Sequence, residues 1–263
     1  MSIEKVLEFS FGLFKRDPKV VLPNVLNWIP FALLYMLLLQ GANVFSKGVS
    51  LETFQQILSN RALFMKLIDR ILFYVAMGIS IVIASVIISL ILLCVYSDIT
   101  RQAYTKKKIS LTKAFSVAKS KFLSLLWTCF LEFLIVILTL LLLIPLAFID
   151  GIVGIIFTIT AGFVVVFLYI IFFYETPAVV VFENKSGLEA IKRSYIIAKR
   201  NFWSLTVIVL IVGIIVNIIL RSLASIPYVG FILYNAAKLF LDTWRLMIPS
   251  LFYYEYEKGR KKV

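Results

Sequence analysis

The chain reads as an all-α polytopic membrane protein: a six-transmembrane-helix bundle with three amphipathic helices lying at the cytoplasmic interface. Three observations predict this. Apolar residues make up 62% of its 263 positions and charged residues only 16%, which leaves too little polar surface to coat a water-soluble globule. Six segments, at roughly 20–40, 71–96, 122–147, 152–173, 202–220 and 228–254, have the length and apolarity to cross ~30 Å of hydrocarbon. Finally, 20 of the 27 lysines and arginines fall in the tails and two connections on one side.

That asymmetry orients the spans. The tail before the first span carries Lys5, Lys15, Arg16 and Lys19, and the connection after the second carries Arg101, Lys106, Lys107, Lys108, Lys113, Lys119 and Lys121. Lys185, Lys192, Arg193, Lys199 and Arg200 follow the fourth span, and Lys258, Arg260, Lys261 and Lys262 follow the sixth. The opposite connections hold only Lys47, Arg61, Lys66, Arg70 and Arg221. The positive-inside rule places both termini in the cytoplasm of a cell-membrane protein. Residues Met1–Lys19 form an amphipathic segment with acidic residues, so no cleavable signal is expected.

A net charge of +13 is also the footprint of a phosphate binder, but topology already requires the basic excess and no nucleic-acid motif accompanies it. The expected partners are the bilayer and its anionic headgroups, with no nucleic acid. Cys94 and Cys129 both fall within spans and form no pairing pattern.

The spans come with a recurring preface. The stretch AKSKFLSL at Ala118–Leu125 returns as AKRNFWSL at Ala198–Leu205, identical at five of eight positions. Phe115 then matches Tyr195, and Leu111 matches Ile191. A fainter copy opens the chain, where Ser10, Phe11, Lys15, Arg16 and Asp17 align with Ser194, Tyr195, Lys199, Arg200 and Asn201, up to Pro18. Each copy has helical periodicity, through Leu7, Phe11 and Phe14, through Leu111, Ala114, Phe115 and Ala118, and through Leu188, Ile191, Tyr195 and Ala198. Basic residues occupy the opposite faces, so the helices are expected to lie with apolar sides down and basic sides among headgroups. Ser186 and Glu189 have capping-box spacing. The result is one integral membrane domain over residues 1–263 in three units, approximately 1–100, 101–180 and 181–263.

Turns are expected at Asp150–Gly151 and between Pro227 and Gly230. The first external connection, from about Gly41 to Arg70, contains Leu51, Phe54 and Leu58 at helical spacing and predicts a short surface helix. In the second span, Ser80 with Ala84 and Ser85 with Ser89 put small residues four apart, as a close helix contact requires. That contact is either internal or the seam of a homo-oligomer or a membrane partner.

With these elements placed, the chain resembles a known membrane domain. The segment PAVVVFENKSGLEAIKRSYIIAKRN at Pro177–Asn201, the Pro227–Gly230 turn and the Tyr253–Tyr254 ending are similar to the multi-span domain attached to some glycerophosphodiester phosphodiesterases, and to its stand-alone archaeal and bacterial relatives. In those phosphodiesterases the chemistry belongs to a separate soluble barrel that this sequence lacks. The resemblance implies an integral membrane module and does not imply diester hydrolysis.

There is no histidine, which removes the most frequent general base and metal ligand. Neither an HExxH helix, a GxxxxGK loop nor a paired-cysteine zinc spacing is present, and no cofactor or metal is expected. A lipid-modifying enzyme would need a carboxylate or metal mechanism that no residue pattern marks. The candidate polar site is a set of charges within spans: Lys238, Asp242 and Arg245 on one face of the last, and Glu132 in the third. Each ionised group at the bilayer centre costs about 2.5–3.5 kcal/mol on insertion scales, so the four are expected to turn inward and pair, Glu132 meeting a cation across the bundle. They form either a polar cavity for an ion, solute or headgroup, or a static network fixing helix register, with snorkelling to the interface as a variant.

Trp127, Trp203, Tyr96, Tyr174, Tyr253, Tyr254 and Tyr256 read as an aromatic belt. The candidate anionic-lipid contacts are Lys15, Arg16, Lys106, Lys107, Lys108, Lys119, Lys192, Arg193, Lys199 and Arg200. The expected function is a non-enzymatic module organising lipid or a partner protein at the cytoplasmic face; the alternative is a small transporter or channel.

Overall fold

The computed structural model describes residues 3–46, 61–105, 108–148, 151–226 and 230–254, which contain helices and no strand. In chain order they are α1 (Ile3–Arg16), a 3-10 segment (Pro18–Asn27), α2 (Trp28–Ser46), α3 (Arg61–Tyr104), α4 (Leu111–Leu141), a second 3-10 segment (Ile144–Phe148), α5 (Gly151–Phe172), α6 (Thr176–Glu183), α7 (Gly187–Arg200), α8 (Phe202–Ala224) and α9 (Gly230–Tyr253). Five stretches are long and apolar enough to cross a membrane: Pro18–Leu37, Phe64–Tyr104, Leu111–Phe148, Gly151–Glu183 and Phe202–Ala224. The chain is a helical membrane protein. The expected sixth span is helical too, but Lys238, Asp242 and Arg245 dilute the apolarity of α9, and it does not join the five.

The chain divides into two bodies, Asn24–Ser89 and Met1–Pro23 with Leu90–Val263. The expected first span does not begin as an α-helix. Pro18 and Pro23 lack the N–H groups an α-helix needs, and the backbone runs as 3-10 helix to Asn27 before α2 begins. The hydroxyls of Ser80 and Ser85 bond back to the carbonyls of Ala76 and Ile81 at 2.9 and 2.8 Å within α3. Bonds of that kind satisfy a serine inside its own helix. The surface helix expected over 51–58, Asp150 and the residues Pro227–Val229 lie outside the described residues.

In the larger body the buried centre is α6, which corrects the sequence reading. The expected cytoplasmic connection after residue 173 is instead a short helix whose residues Thr176–Val181 are all buried, together with Glu175 before it. It packs against α4, α7 and α9. Pro177, in the first turn, starts α6 where a missing N–H costs nothing. Asn184 ends it in the left-handed conformation at φ 56°, one that asparagine tolerates better than most residues.

The helices expected at the membrane surface also bury part of their length in protein. The buried face of α7 is Ala190, Ile191, Ser194, Ile197 and Ala198, whereas Leu188 and Tyr195 of the expected apolar face are 57% and 43% exposed. The difference arises because α7 packs on α4, α5 and α6 and not on lipid alone. Its start differs as well. Ser186 occupies the N-cap position, but its side chain makes no capping bond. Thr128 of α4 supplies the acceptor instead, its Oγ1 taking the Gly187 N–H at 2.8 Å. α4 has its own cap, Ser110 accepting from the Lys113 N–H. At the α4–α5 turn, a Cβ on Gly154 would stand 2.8 Å from the Leu146 carbonyl oxygen, so only glycine permits that approach.

Candidate functional site

The larger body concentrates its buried polar groups where α3, α4, α6, α7 and α9 meet the basic segments. Ser97 of α3 accepts from Ser250 of α9 at 2.7 Å, and Tyr96 and Thr243 share a bond at 3.5 Å. Ser194 of α7 donates to the Phe172 carbonyl at 2.8 Å, and Trp244 of α9 donates to Ser10 of α1 at the same distance. Each fully buried hydroxyl in this set thus has a partner on another element, as burial demands.

Two carboxylates organise this stratum. Glu183, at the end of α6, accepts from Tyr253 Oη at 2.7 Å and from Arg193 Nε at 2.9 and 3.2 Å, and pairs with Lys185 Nζ at 2.9 Å. One side chain therefore ties α6 to both α7 and α9. Asp98, fully buried in α3, pairs with Arg101 and accepts from Gln102 Nε2 at 2.7 Å. Gln102 Oε1 in turn accepts the Ser110 N–H at 2.7 Å, holding the residue that caps α4.

The four expected intramembrane charges are not brought together as a network. Glu132 of α4 accepts from Thr176 Oγ1 at 2.5 Å. Among the described residues neither Glu132 nor Asp242 belongs to an ion pair within 4.0 Å. The expected cation opposite Glu132 is replaced by the hydroxyl at the start of α6, a neutral partner that the buried helix carries into reach. On α9 the charges of Lys238 and Arg245 both bear on half-buried Asp242. Lys238 Nζ stands 5.9 Å from the centre of the Tyr234 ring, and Arg245 is exposed.

Of the candidate lipid contacts, Lys15, Arg16, Lys108, Lys119, Lys192, Lys199 and Arg200 are exposed. Arg193 is half-buried and engaged by Glu183, and Lys106 and Lys107 lie outside the described residues. On α7 the exposed bases stand among exposed apolar groups, Leu188, Tyr195 and Ile196, so that helix presents a mixed basic and apolar surface.

Sequence reasoning missed Glu183, Asp98 and Glu175. Asp98 and Glu175 lie beside predicted span ends and Glu183 in the connection that follows, where a charge reads as solvated. A signal for Glu183 existed in the run TPAVVVFE, whose apolar stretch after a proline is more than a polar connection needs. Among the described residues no group of three Cys, Asp or Glu side chains could hold a metal ion. Comparison of the chain with family models, with curated proteins and with solved structures finds no match.

Proposed function

We propose that the chain is a six-span module of the cell membrane with both termini cytoplasmic. In this reading it comprises three units of interfacial helix plus hairpin, and organises anionic lipid or a partner protein at the cytoplasmic face without catalysing a reaction. The observation that carries this is the division of α7: its small residues are buried in protein while Lys192, Lys199 and Arg200 remain exposed beside Leu188, Tyr195 and Ile196. A helix with those exposed groups suits the headgroup boundary, each base there contributing about 1 kcal/mol of attraction to anionic lipid.

Support for three units comes from equivalent burial. Ser10, Ala114 and Ser194 are all fully buried, as are Leu125 and Leu205, and Ala118 and Ala198 are each no more than 1% exposed. Similarity to the phosphodiesterase-linked membrane domain favours the same module. The test is to replace Lys192, Lys199 and Arg200 with glutamine and measure retention of phosphatidylglycerol by the purified protein at low salt. Retention should fall, and unchanged retention would remove the basis of the proposal.

A second reading, a small transporter using Glu132, Lys238, Asp242 and Arg245, rests on half-buried Asp242 standing between two cations on a helix of spanning length. It predicts solute flux in proteoliposomes that Asp242→Asn abolishes. Flux surviving replacement of all four residues would rule the assignment out.

A further inference from the structure

We infer that a groove between α4, α5 and α7 holds one acyl chain of an anionic phospholipid whose headgroup lies against Lys192 and Lys199; this deepens the lipid-organising reading and rests on it. The groove has a volume of about 290 Å³ and is lined by Thr139 of α4, Val165, Leu168, Tyr169 and Phe172 of α5, and Tyr195 of α7. That is near the lower end of ~300–1,000 Å³ for small-molecule pockets, room for a narrow apolar occupant. From Val165 to Phe172 it follows α5 for about 10 Å, two helical turns.

The lining is not uniform in chemistry. On the α4 side Thr139 Oγ1 and Tyr169 Oη share a bond at 2.7 Å. Because Thr139 donates its own proton to the Ile135 carbonyl at 2.8 Å, Tyr169 is the donor in that pair. These hydroxyls are thereby engaged with protein and leave the adjoining wall apolar and aromatic. On the α7 side the Tyr195 ring lies 5.0 Å from that of Phe172. Lys192 and Lys199, three residues before and four after Tyr195, share its face of α7 and are exposed.

The surroundings select the occupant. Val164 and Ile170, beside the groove on α5, are 52% and 49% exposed on a helix apolar enough to span a bilayer. The medium at that surface is hydrocarbon, so an acyl chain reaches the groove by lateral diffusion. The bases beyond Tyr195 then complement a phosphate, which favours an anionic over a zwitterionic headgroup.

The test uses the full chain in vesicles of phosphatidylcholine and phosphatidylglycerol, with a trace of either lipid bearing a diazirine on its acyl chain. After photolysis the labelled residues are mapped by mass spectrometry. The phosphatidylglycerol probe should label the stretch 165–173 or Tyr195 several-fold more than the phosphatidylcholine probe. Lys192→Gln with Lys199→Gln, both at exposed positions, should lower that labelling about thirtyfold, the scale expected for two cations at a lipid surface. Leu168→Trp, which fills the groove, should displace the label while leaving the lysines in place. Equal labelling by the two probes would overturn the proposal, since the groove would then be ordinary lipid-facing surface. If phosphatidylglycerol retention still depends on the α7 bases while no label enters the groove, the groove assignment fails and the lipid-organising reading stands. If retention is also independent of those bases, both fail.

Discussion

Thr128 shows how one side chain can set the start of a neighbouring helix. Its hydroxyl donates to the Ser124 carbonyl at 2.7 Å and accepts the Gly187 N–H at 2.8 Å, and both groups are buried. Thr128→Val keeps the shape but orphans the amide, a loss of about 1–3 kcal/mol. Thr128→Ser, which retains the hydroxyl, should keep most of that stability, so unfolding midpoints of the two variants in the same detergent separate hydrogen bonding from packing. Gly187 adds a second constraint. It sits at φ +57° with Trp127 Nε1 3.3 Å from where a Cβ would be, and left-handed backbone costs an L-residue roughly 1–2 kcal/mol. Glu183 belongs to the same scale. Because it is partly solvent-accessible, each of its ion pairs is worth little alone, and Glu183→Gln should cost about 1–2 kcal/mol. A double-mutant cycle with Tyr253→Phe measures the contact; zero coupling would mean that the α6–α9 tie contributes nothing.

Among the elements, α6 distinguishes packing in protein from contact with lipid. Lipid chains are as apolar as valine, so burial against lipid supplies no drive for helices to associate, and tight packing must supply it. Val180 is fully buried, whereas Val164 on α5 is 52% exposed. Val180→Ala should therefore destabilise the protein by about 1–3 kcal/mol through a cavity, and Val164→Ala hardly at all. Thermal unfolding of both in one detergent checks the contrast, and equal effects would place α6 outside the packed centre. The same helix marks where sequence reading stops. Long apolar runs identify α3, α4, α5 and α8 because nothing but a membrane requires them, and Pro177 and Asn184 are legible as boundaries once a helix is suspected. The eight residues of α6 are too few to span a bilayer, so their apolarity signals burial without naming a partner. Likewise the periodicity of Leu188, Ile191, Tyr195 and Ala198 identifies a helix, yet cannot reveal that small Ala190 and Ser194 face the protein. Small residues carry little hydrophobic signal but allow close approach. For the candidate site, the sequence places Glu132, Lys238, Asp242 and Arg245 within apolar segments, but pairing is a three-dimensional property, and Glu132 meets Thr176, 44 residues away, instead of a cation.

For the whole molecule, the arrangement of charge and apolarity amounts to a claim about sides. Lys15 lies in the last turn of α1, Lys119 in the first part of α4 and Lys199 in the last turn of α7, all exposed. Arg221 lies near the far end of α8, whose 23 residues rise about 34 Å, enough to cross ~30 Å of hydrocarbon. If the basic segments share the cytoplasm, Lys15→Cys, Lys119→Cys and Lys199→Cys should each react with a membrane-impermeant thiol reagent from the cytoplasmic side, and Arg221→Cys from the other. The background needs Cys94→Ala and Cys129→Ala, small changes at one buried and one half-buried thiol. Labelling of Lys199→Cys and Arg221→Cys from the same side would mean that α8 does not cross. Labelling of Lys15→Cys opposite to Lys199→Cys would break the common side for α1 and α7. That second result would also conflict with the Trp244–Ser10 bond that joins α1 to α9, because it would separate α1 from the basic end of the body on which the lipid reading depends.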